Sequence, residues 1–182
     1  MSGRSTPVVL LGFMGTGKSA AGAILAQRLG RTFFDSDAEI EREAGCPIPD
    51  IFARQGEETF RRLESQVIAR LAEQEKAVIA CGGGAVTRPE NLTALRRNGS
   101  VNFVLTARVD TILARTAGSD RPLLQGTPAE RRAKVEALLA QRAPAYAQAG
   151  LAIPTDGMTA AEVADAIVRL LQAGARARSE NS

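Results

Sequence analysis

The chain has 182 residues, of which 45 % are hydrophobic and 24 % are charged, a composition typical of one globular domain with a buried core. It has no histidine, which excludes Ser-His-Asp, Cys-His and histidine-ligated zinc sites and leaves carboxylates, lysines or the one tyrosine as general bases. The net charge of +3 and the 4 % aromatic content are too low to indicate nucleic-acid binding.

Apolar strands alternate with helices along the chain. The predicted strands lie at 7–12, 32–35, 77–81, 101–106 and 151–154. The predicted helices lie at 18–29, 36–44, 57–73, 89–97, 111–116, 128–148 and 160–173, with one further helical turn at 50–54 and a frayed end after residue 175. Wholly apolar strands separated by helices predict an α/β fold in three layers, with a five-stranded parallel sheet covered by helices on both faces.

No targeting segment or membrane span is predicted, because the early apolar run at 8–14 leads into glycines and Lys18. Cys46 and Cys81 are too few for a disulfide framework or a metal motif, and they favour a reducing compartment. We therefore expect a soluble, cytoplasmic monomer without a nucleic-acid or membrane partner.

The strongest motif is Gly12-Phe-Met-Gly-Thr-Gly-Lys18-Ser19, between the first strand and the first helix. Its glycines let backbone N–H groups turn inward around a polyphosphate, and the helix that follows adds its positive end. Lys18 is expected to reach the outer phosphates, and the Ser19 hydroxyl to bind Mg²⁺. About 0.003 such matches are expected by chance in a chain of this composition. The motif therefore predicts a nucleotide site.

Two acids, Asp35 and Asp37, follow the second strand, at the sheet edge where the first strand ends in the phosphate loop. One can orient or deprotonate an alcohol while the other supports Mg²⁺ through water. The alternative is helix capping, by Ser36 or Asp37, in the capping-box pattern that Ser36 and Glu39 form.

Basic residues and glycines mark the rest of a candidate site. Arg61 and Arg62 lie near a helix start, where the helix dipole favours acids, so one of them is expected to bind a carboxylate, with Glu64 holding Arg61 in position. The alternative is a solvated helix face. Gly82, Gly83 and Gly84 end the third strand and allow close approach to the backbone. Cys81 stands where a typical NTPase has an aspartate, which leaves Mg²⁺ to Ser19 and Asp35.

Two more arginines lie later in the chain. Arg121 belongs to a loop at 117–128, rich in glycine and proline, that is typical of a lid closing on nucleotide. Arg142 precedes Pro144, where its helix is expected to kink or end. Each is individually as compatible with a surface arginine as with a ligand.

Together these motifs closely resemble the shikimate kinase family from Val9 to about Tyr146, in the family's order and near its spacing. The matching segments are Gly12 to Ser19, Asp35-Ser-Asp37, Gly56 to Arg61, Gly82 to Gly84, Arg121-Pro-Leu-Leu and Arg142-Ala-Pro-Ala-Tyr146. The resemblance implies a P-loop kinase that phosphorylates the 3-hydroxyl of shikimate with ATP and Mg²⁺, in aromatic amino acid (chorismate) biosynthesis. It also implies one domain over 1–182, with a substrate-binding insertion at about 33–64 and a mobile lid at about 116–128.

The resemblance further assigns roles to individual residues. Asp37, Lys18 and Arg121 would be catalytic, and Ser19 and Asp35 would bind the metal. The nucleotide would contact Gly12, Gly15, Thr16, Gly17, Lys18, Ser19, Ala20, Arg115 and Arg121, with Arg115 packing on adenine. Shikimate would contact Asp37, Arg61, Gly82, Gly83, Gly84 and Arg142, with the two arginines on its carboxylate. The family often has another basic residue near adenine, and here none lies between Arg142 and Arg169.

Two other functions are compatible with a phosphate loop. Another small-metabolite kinase, for gluconate or a nucleoside monophosphate, would share the loop, but paired arginines suit a compact carboxylate better than a base. A GTPase-like switch would need an Asn-Lys-x-Asp motif, and no asparagine in this chain precedes a lysine.

Overall fold

The computed structural model describes residues 6–97, 99–118 and 124–180, the last three as backbone only. The strands are β1 (Val8–Gly12), β2 (Thr32–Asp35), β3 (Ala77–Ala80), β4 (Val101–Thr106) and β5 (Leu151–Pro154). The helices are α1 (Lys18–Leu29), α2 (Ser36–Ala44), α3 (Ile48–Ala72), α4 (Pro89–Arg97), α5 (Val109–Arg115), α6 (Pro128–Ala149) and α7 (Ala160–Glu180), with a 3₁₀ turn at Ala85–Thr87.

The five strands form one parallel sheet in the order β2-β3-β1-β4-β5. β1 is fully buried, and its side chains alternate between the two faces of the sheet. Val9 and Leu11 belong to a core cluster with residues of α3 and α4, whereas Val8 and Leu10 pack with residues of α1 and α7. The predicted three-layer α/β fold is therefore confirmed.

The strand order also brings the candidate site together. β1 pairs with β3, with Val9 opposite Ile79, and β3 pairs with β2, with Phe34 opposite Ile79. Because parallel strands end at the same edge of the sheet, the phosphate loop, the Asp35–Asp37 segment and the glycine triplet all emerge beside one another.

Several helices differ from their predicted bounds. α3 starts at Ile48 and runs to Ala72, with non-helical torsion angles at Gly56 (φ 80°, ψ 169°), so the predicted break there is real. The segment before it is longer than the predicted turn at 50–54, and the segment after it ends one residue before the predicted end at 73. α6 continues past Pro144 to Ala149, close to the predicted end at 148, so of the two expectations for the helix near Arg142, a kink or an end, the end is wrong. α7 reaches Glu180, beyond the predicted end at 173, so the residues expected to fray after 175 are helical as far as Glu180.

The start of α2 corrects another prediction. Its N-cap is Asp35, whose carboxylate accepts a hydrogen bond from the Asp37 N–H, and not Ser36 or Asp37. Ser36 is fully buried, and its hydroxyl accepts a 2.8 Å hydrogen bond from the Gly82 N–H. The Ser36 side chain is therefore committed to linking the ends of β2 and β3, which leaves the capping position to Asp35.

Candidate active site

The phosphate loop has the shape its glycines predict. Gly15 (φ 77°) and Gly17 (φ 91°) adopt left-handed backbone conformations, which glycine adopts without steric cost. Thr16 Oγ1 and Lys18 Nζ donate to the Phe13 carbonyl at 2.7 and 2.8 Å, so Thr16 serves the shape of the loop. Gly12 has a packing role, since a Cβ there would lie 2.2 Å from the Leu105 carbonyl oxygen.

A pocket of about 230 Å³, here called the phosphate pocket, lies over this loop. Its lining comprises Met14, Gly15, Gly17, Lys18, Ser19, Ala20, Asp35, Asp37, Cys81, Gly83 and Arg115. Lys18 is 91 % buried, so its ammonium group is held in a site of reduced dielectric, where a phosphate oxygen would attract it more strongly than in water.

Ser19 and Asp35 form the oxygen pair of the phosphate pocket. Ser19 Oγ donates to Asp35 Oδ2 at 2.5 Å, and the other carboxylate oxygen accepts from the Asp37 N–H at 3.0 Å. A hydroxyl and a carboxylate oxygen fit a hard divalent cation that draws its remaining ligands from phosphates and water. The described residues contain no cluster of three or more acidic or cysteine ligands, so no larger metal site competes with this pair.

Cys81 lines the same pocket, at the end of β3. Burial raises the pKa of its thiol, and the nearby carboxylates raise it further, against the opposing charge of Lys18. The sulfur therefore stays protonated at neutral pH and does not replace the aspartate that a typical NTPase has at this position.

A second pocket, of about 300 Å³, adjoins the first and is here called the acceptor pocket. Its lining comprises Met14, Asp37, Glu41, Ile48, Pro49, Phe52, Phe60, Arg61, Glu64, Gly82, Gly83, Gly84 and Arg142. Asp37, Met14 and Gly83 line both pockets and therefore separate them. Asp37 thus faces both pockets.

Arg61 is buried in the wall of the acceptor pocket. Its Nη1 donates to Glu64 Oε2 at 2.9 Å and its Nη2 to Glu57 Oε1 at 3.1 Å, while its guanidinium carbon lies 5.1 Å from the centre of the Phe60 ring. The prediction that Glu64 holds Arg61 is confirmed. Arg61 is therefore not a solvated surface residue, and its guanidinium is oriented before any ligand binds.

Glu64 itself is fully buried, and its Oε1 has no hydrogen-bond partner. Burial raises the pKa of this carboxyl, the charge of Asp37 adds to the rise, and Arg61 opposes it. The acceptor pocket therefore contains an oxygen atom available to a ligand hydroxyl or to a water molecule.

The glycine triplet is explained by space, since none of its residues has a positive φ. A Cβ on Gly82 would lie 2.5 Å from Asp37 Oδ1, and one on Gly84 would lie 2.0 Å from Arg61 Nη1. On Gly83 it would lie 3.0 Å from the Met14 backbone nitrogen of the phosphate loop. The absence of side chains in the triplet therefore lets Asp37, Arg61 and the phosphate loop all pack against the same backbone segment.

Arg142 of α6 lines the acceptor pocket, and Tyr146 lies one helical turn further along the same helix. Arg142 Nη1 and the Tyr146 hydroxyl both donate to the Gly83 carbonyl, at 3.0 and 2.7 Å. Arg142 also lies over the Phe13 ring at 5.5 Å, and its buried Nε has no partner. The contacts that Tyr146 and Ser36 make with Gly83 and Gly82 were not predicted from the sequence, because these partners are backbone atoms of a distant segment.

The two remaining predicted ligands differ in outcome. Arg115 lines the phosphate pocket, and its Nη2 donates to the Thr155 carbonyl at 2.9 Å. Its side chain therefore links the phosphate pocket to the loop that follows β5. Arg121 lies outside the described residues, as do residues 119–123 of the predicted lid, and its role stays a prediction. No helix of the described part of the chain is both long and apolar enough to span a membrane.

Comparison with known proteins places this geometry in a family. The sequence model of the shikimate kinase family, described as "Shikimate kinase", matches residues 14–172. The shikimate kinase of Symbiobacterium thermophilum is 47 % identical over 91 % of this chain and 95 % of its own length. That of Moorella thermoacetica is also 47 % identical, over 91 % and 94 %.

Solved structures agree. The shikimate kinase of Acinetobacter baumannii in complex with shikimate superposes with a TM-score of 0.89 at 37 % identity, over 93 % of this chain and 94 % of that chain. A gluconokinase from Sinorhizobium meliloti, at 19 % identity and a TM-score of 0.61 over 98 % of both chains, shares the fold alone. With its phosphate loop, its buried arginines and these relatives, the chain belongs to the shikimate kinase family.

Proposed function

We propose that this protein transfers the γ-phosphate of ATP to the 3-hydroxyl of shikimate, giving shikimate 3-phosphate and ADP in chorismate biosynthesis. The observation that supports this best is a pocket of about 300 Å³ with two buried arginines, Arg61 and Arg142, directly beside the phosphate loop. Of the described residues, Asp37 lies on the boundary where an acceptor hydroxyl and a terminal phosphate would meet.

The acceptor would be oriented by its carboxylate. Two guanidinium groups can each form charge-assisted hydrogen bonds to one carboxylate, and the bonds that Arg61 makes to Glu57 and Glu64 hold it ready. Little side-chain entropy is then lost when the substrate binds, which favours both affinity and a defined orientation of the ring hydroxyls.

Asp37 would act on the reacting hydroxyl. A carboxylate that accepts its hydrogen bond can orient the oxygen towards the γ-phosphate and take its proton as the new P–O bond forms. Of the three described residues that line both pockets, Met14, Asp37 and Gly83, Asp37 has the one side chain that can accept a proton.

Lys18 and Arg121 would absorb the charge that develops on the transferred group. Lys18 is tied to the Phe13 carbonyl at 2.8 Å, within the loop that would hold the phosphates. We propose Mg²⁺ as the metal, held by Ser19 and with Asp35 behind it, where it would neutralise charge on the β- and γ-phosphates. Positioning and electrostatics therefore account for catalysis, as is usual in phosphoryl transfer.

The test is ADP release by the purified protein with ATP and Mg²⁺, measured with shikimate, gluconate or AMP as acceptor. Shikimate-dependent turnover, with a phosphorylated product, supports the proposal. Turnover with gluconate or AMP but not shikimate would assign another small-metabolite kinase, and nucleotide binding without acceptor-dependent turnover would assign a switch.

Three expectations accompany this function. The cytoplasmic location is supported by Cys46 and Cys81, both free thiols as expected in a reducing compartment. The monomeric state is tested by light scattering of the purified protein. The single domain, with an insertion at 33–64 and a lid at 116–128, is tested by limited proteolysis with and without ATP and shikimate.

A further inference from the structure

The Gly83 carbonyl accepts hydrogen bonds from two side chains of α6, Arg142 and Tyr146. Gly83 lines both pockets, and its backbone lies against the phosphate loop near Met14. Its carbonyl is tied to the acceptor pocket in particular, because Arg142, one of the two donors, lines that pocket and not the phosphate pocket. Arg142 is one of the two arginines proposed to bind the acceptor carboxylate, so one of the two donors has a second task.

That second task creates a conflict which Tyr146 can resolve. If Arg142 turns towards an acceptor carboxylate, its bond to Gly83 weakens, and a carbonyl without a donor in a partly buried site costs free energy. Tyr146 donates to the same oxygen at 2.7 Å and keeps it satisfied. Arg142 can then engage the substrate without disturbing Gly83.

We propose that Tyr146 is a positioning residue for acceptor binding, which holds the Gly83 carbonyl so that Arg142 is free to bind the substrate carboxylate. The inference rests on the proposed function, because it takes Arg142 as a carboxylate ligand. Tyr146 touches no reacting atom, so its loss acts on acceptor affinity and not on the chemical step.

The chemistry of the phenol suits this task. Burial raises the pKa of Tyr146 to about 12, against the opposing charge of Arg142, so the hydroxyl remains a donor throughout the physiological pH range. Tyr146 also packs at the edge of the core cluster formed with α3 and α4, which fixes the ring while the hydroxyl stays on Gly83.

The first test compares Tyr146→Phe with the wild-type enzyme. The variant keeps the ring and removes one hydrogen bond, so the KM for shikimate is expected to rise about three- to ten-fold. The kcat and the KM for ATP are expected to stay within about two-fold of wild type, since the interaction acts on acceptor binding alone. An unchanged KM for shikimate, or an equal rise in both KM values, would overturn the inference.

Ser100→Ala is the matched control. Ser100, just before β4 and so at the opposite end of the strands, has its hydroxyl 2.7 Å from the Leu95 carbonyl oxygen and 2.6 Å from Asn102 Oδ1. Its removal also deletes a partly buried hydroxyl donor, and it is expected to lower the unfolding temperature without altering either KM. A rise in the shikimate KM of this control as large as that of Tyr146→Phe would assign the effect to general destabilisation and overturn the inference.

The second test needs no variant. Tyr146 is the one tyrosine of a chain without tryptophan, so the tyrosine fluorescence of the protein reports this residue alone. Shikimate added without nucleotide is expected to change that fluorescence in a saturable way, because the donor environment of Gly83 changes when Arg142 turns. Binding detected by calorimetry with no fluorescence change would overturn the inference. Wild-type protein without shikimate-dependent ADP release would instead contradict the proposed function, so the two failures are distinguishable.

Discussion

Replacing Gly84 by alanine tests how closely Arg61 is held in the acceptor pocket. The added Cβ would lie 2.0 Å from Arg61 Nη1, whereas ordinary contact begins at 3.4 Å, so the guanidinium has to retreat by about 1.4 Å. The backbone of Gly84 (φ −93°) tolerates alanine, and the obstructing atoms are the end of a flexible side chain. We therefore expect the variant to fold while its arginine is displaced.

The displacement is large enough to break a bond. Arg61 Nη1 lies 2.9 Å from Glu64 Oε2, and a shift of this size removes that contact or moves the guanidinium off the substrate carboxylate. One charge-assisted hydrogen bond contributes about 1.5–3 kcal/mol, so the KM for shikimate is expected to rise about 10- to 150-fold. The KM for ATP is expected to stay near that of wild type, because Gly84 does not line the phosphate pocket.

The assay is steady-state kinetics with each substrate varied, together with urea unfolding. Gly30→Ala is the control. A Cβ at Gly30, at the end of α1, would meet open space, but the alanine would have to adopt a φ of 61°. It should cost about 1 kcal/mol of stability and leave both KM values unchanged. A folded Gly84→Ala protein with wild-type KM for shikimate would refute the assigned position of Arg61.

Three further predictions concern the charged groups of the site. Arg61→Ala should raise the KM for shikimate far more than that for ATP, and equal losses would contradict the carboxylate assignment. Asp37→Asn should lower kcat by about 100-fold or more if Asp37 is the base, and an unchanged kcat in rapid-quench assays would leave it a positioning role. Burial raises the pKa of Glu64, so the folded state holds this proton more tightly than the unfolded state. The unfolding free energy of the wild type, minus that of Glu64→Gln, should therefore fall as pH rises above about 4.3. Urea titrations in which this difference rises with pH would show that folding lowers the pKa of Glu64.

The elements that could be predicted from the sequence are those set by short-range patterns. The phosphate loop is a contiguous motif between a strand and a helix, and the pairing of Arg61 with Glu64 follows from one helical turn of α3. The alternation of apolar strands with helices was sufficient to predict the three-layer fold.

The contacts that could not be predicted depend on which strands become neighbours. Ser36 binds Gly82 because β2 lies beside β3, and this order displaces the helix cap onto Asp35. Tyr146 reaches Gly83 across 63 positions of sequence. No local pattern encodes such a pairing, since any tyrosine on the inner face of α6 would show the same periodicity.

A crystal structure with shikimate and ADP tests the central claim most directly. The account predicts the shikimate carboxylate between Arg61 and Arg142, and the 3-hydroxyl against Asp37 on the side of the phosphate loop. A carboxylate bound away from both arginines, or a ring hydroxyl directed away from Asp37, would contradict it.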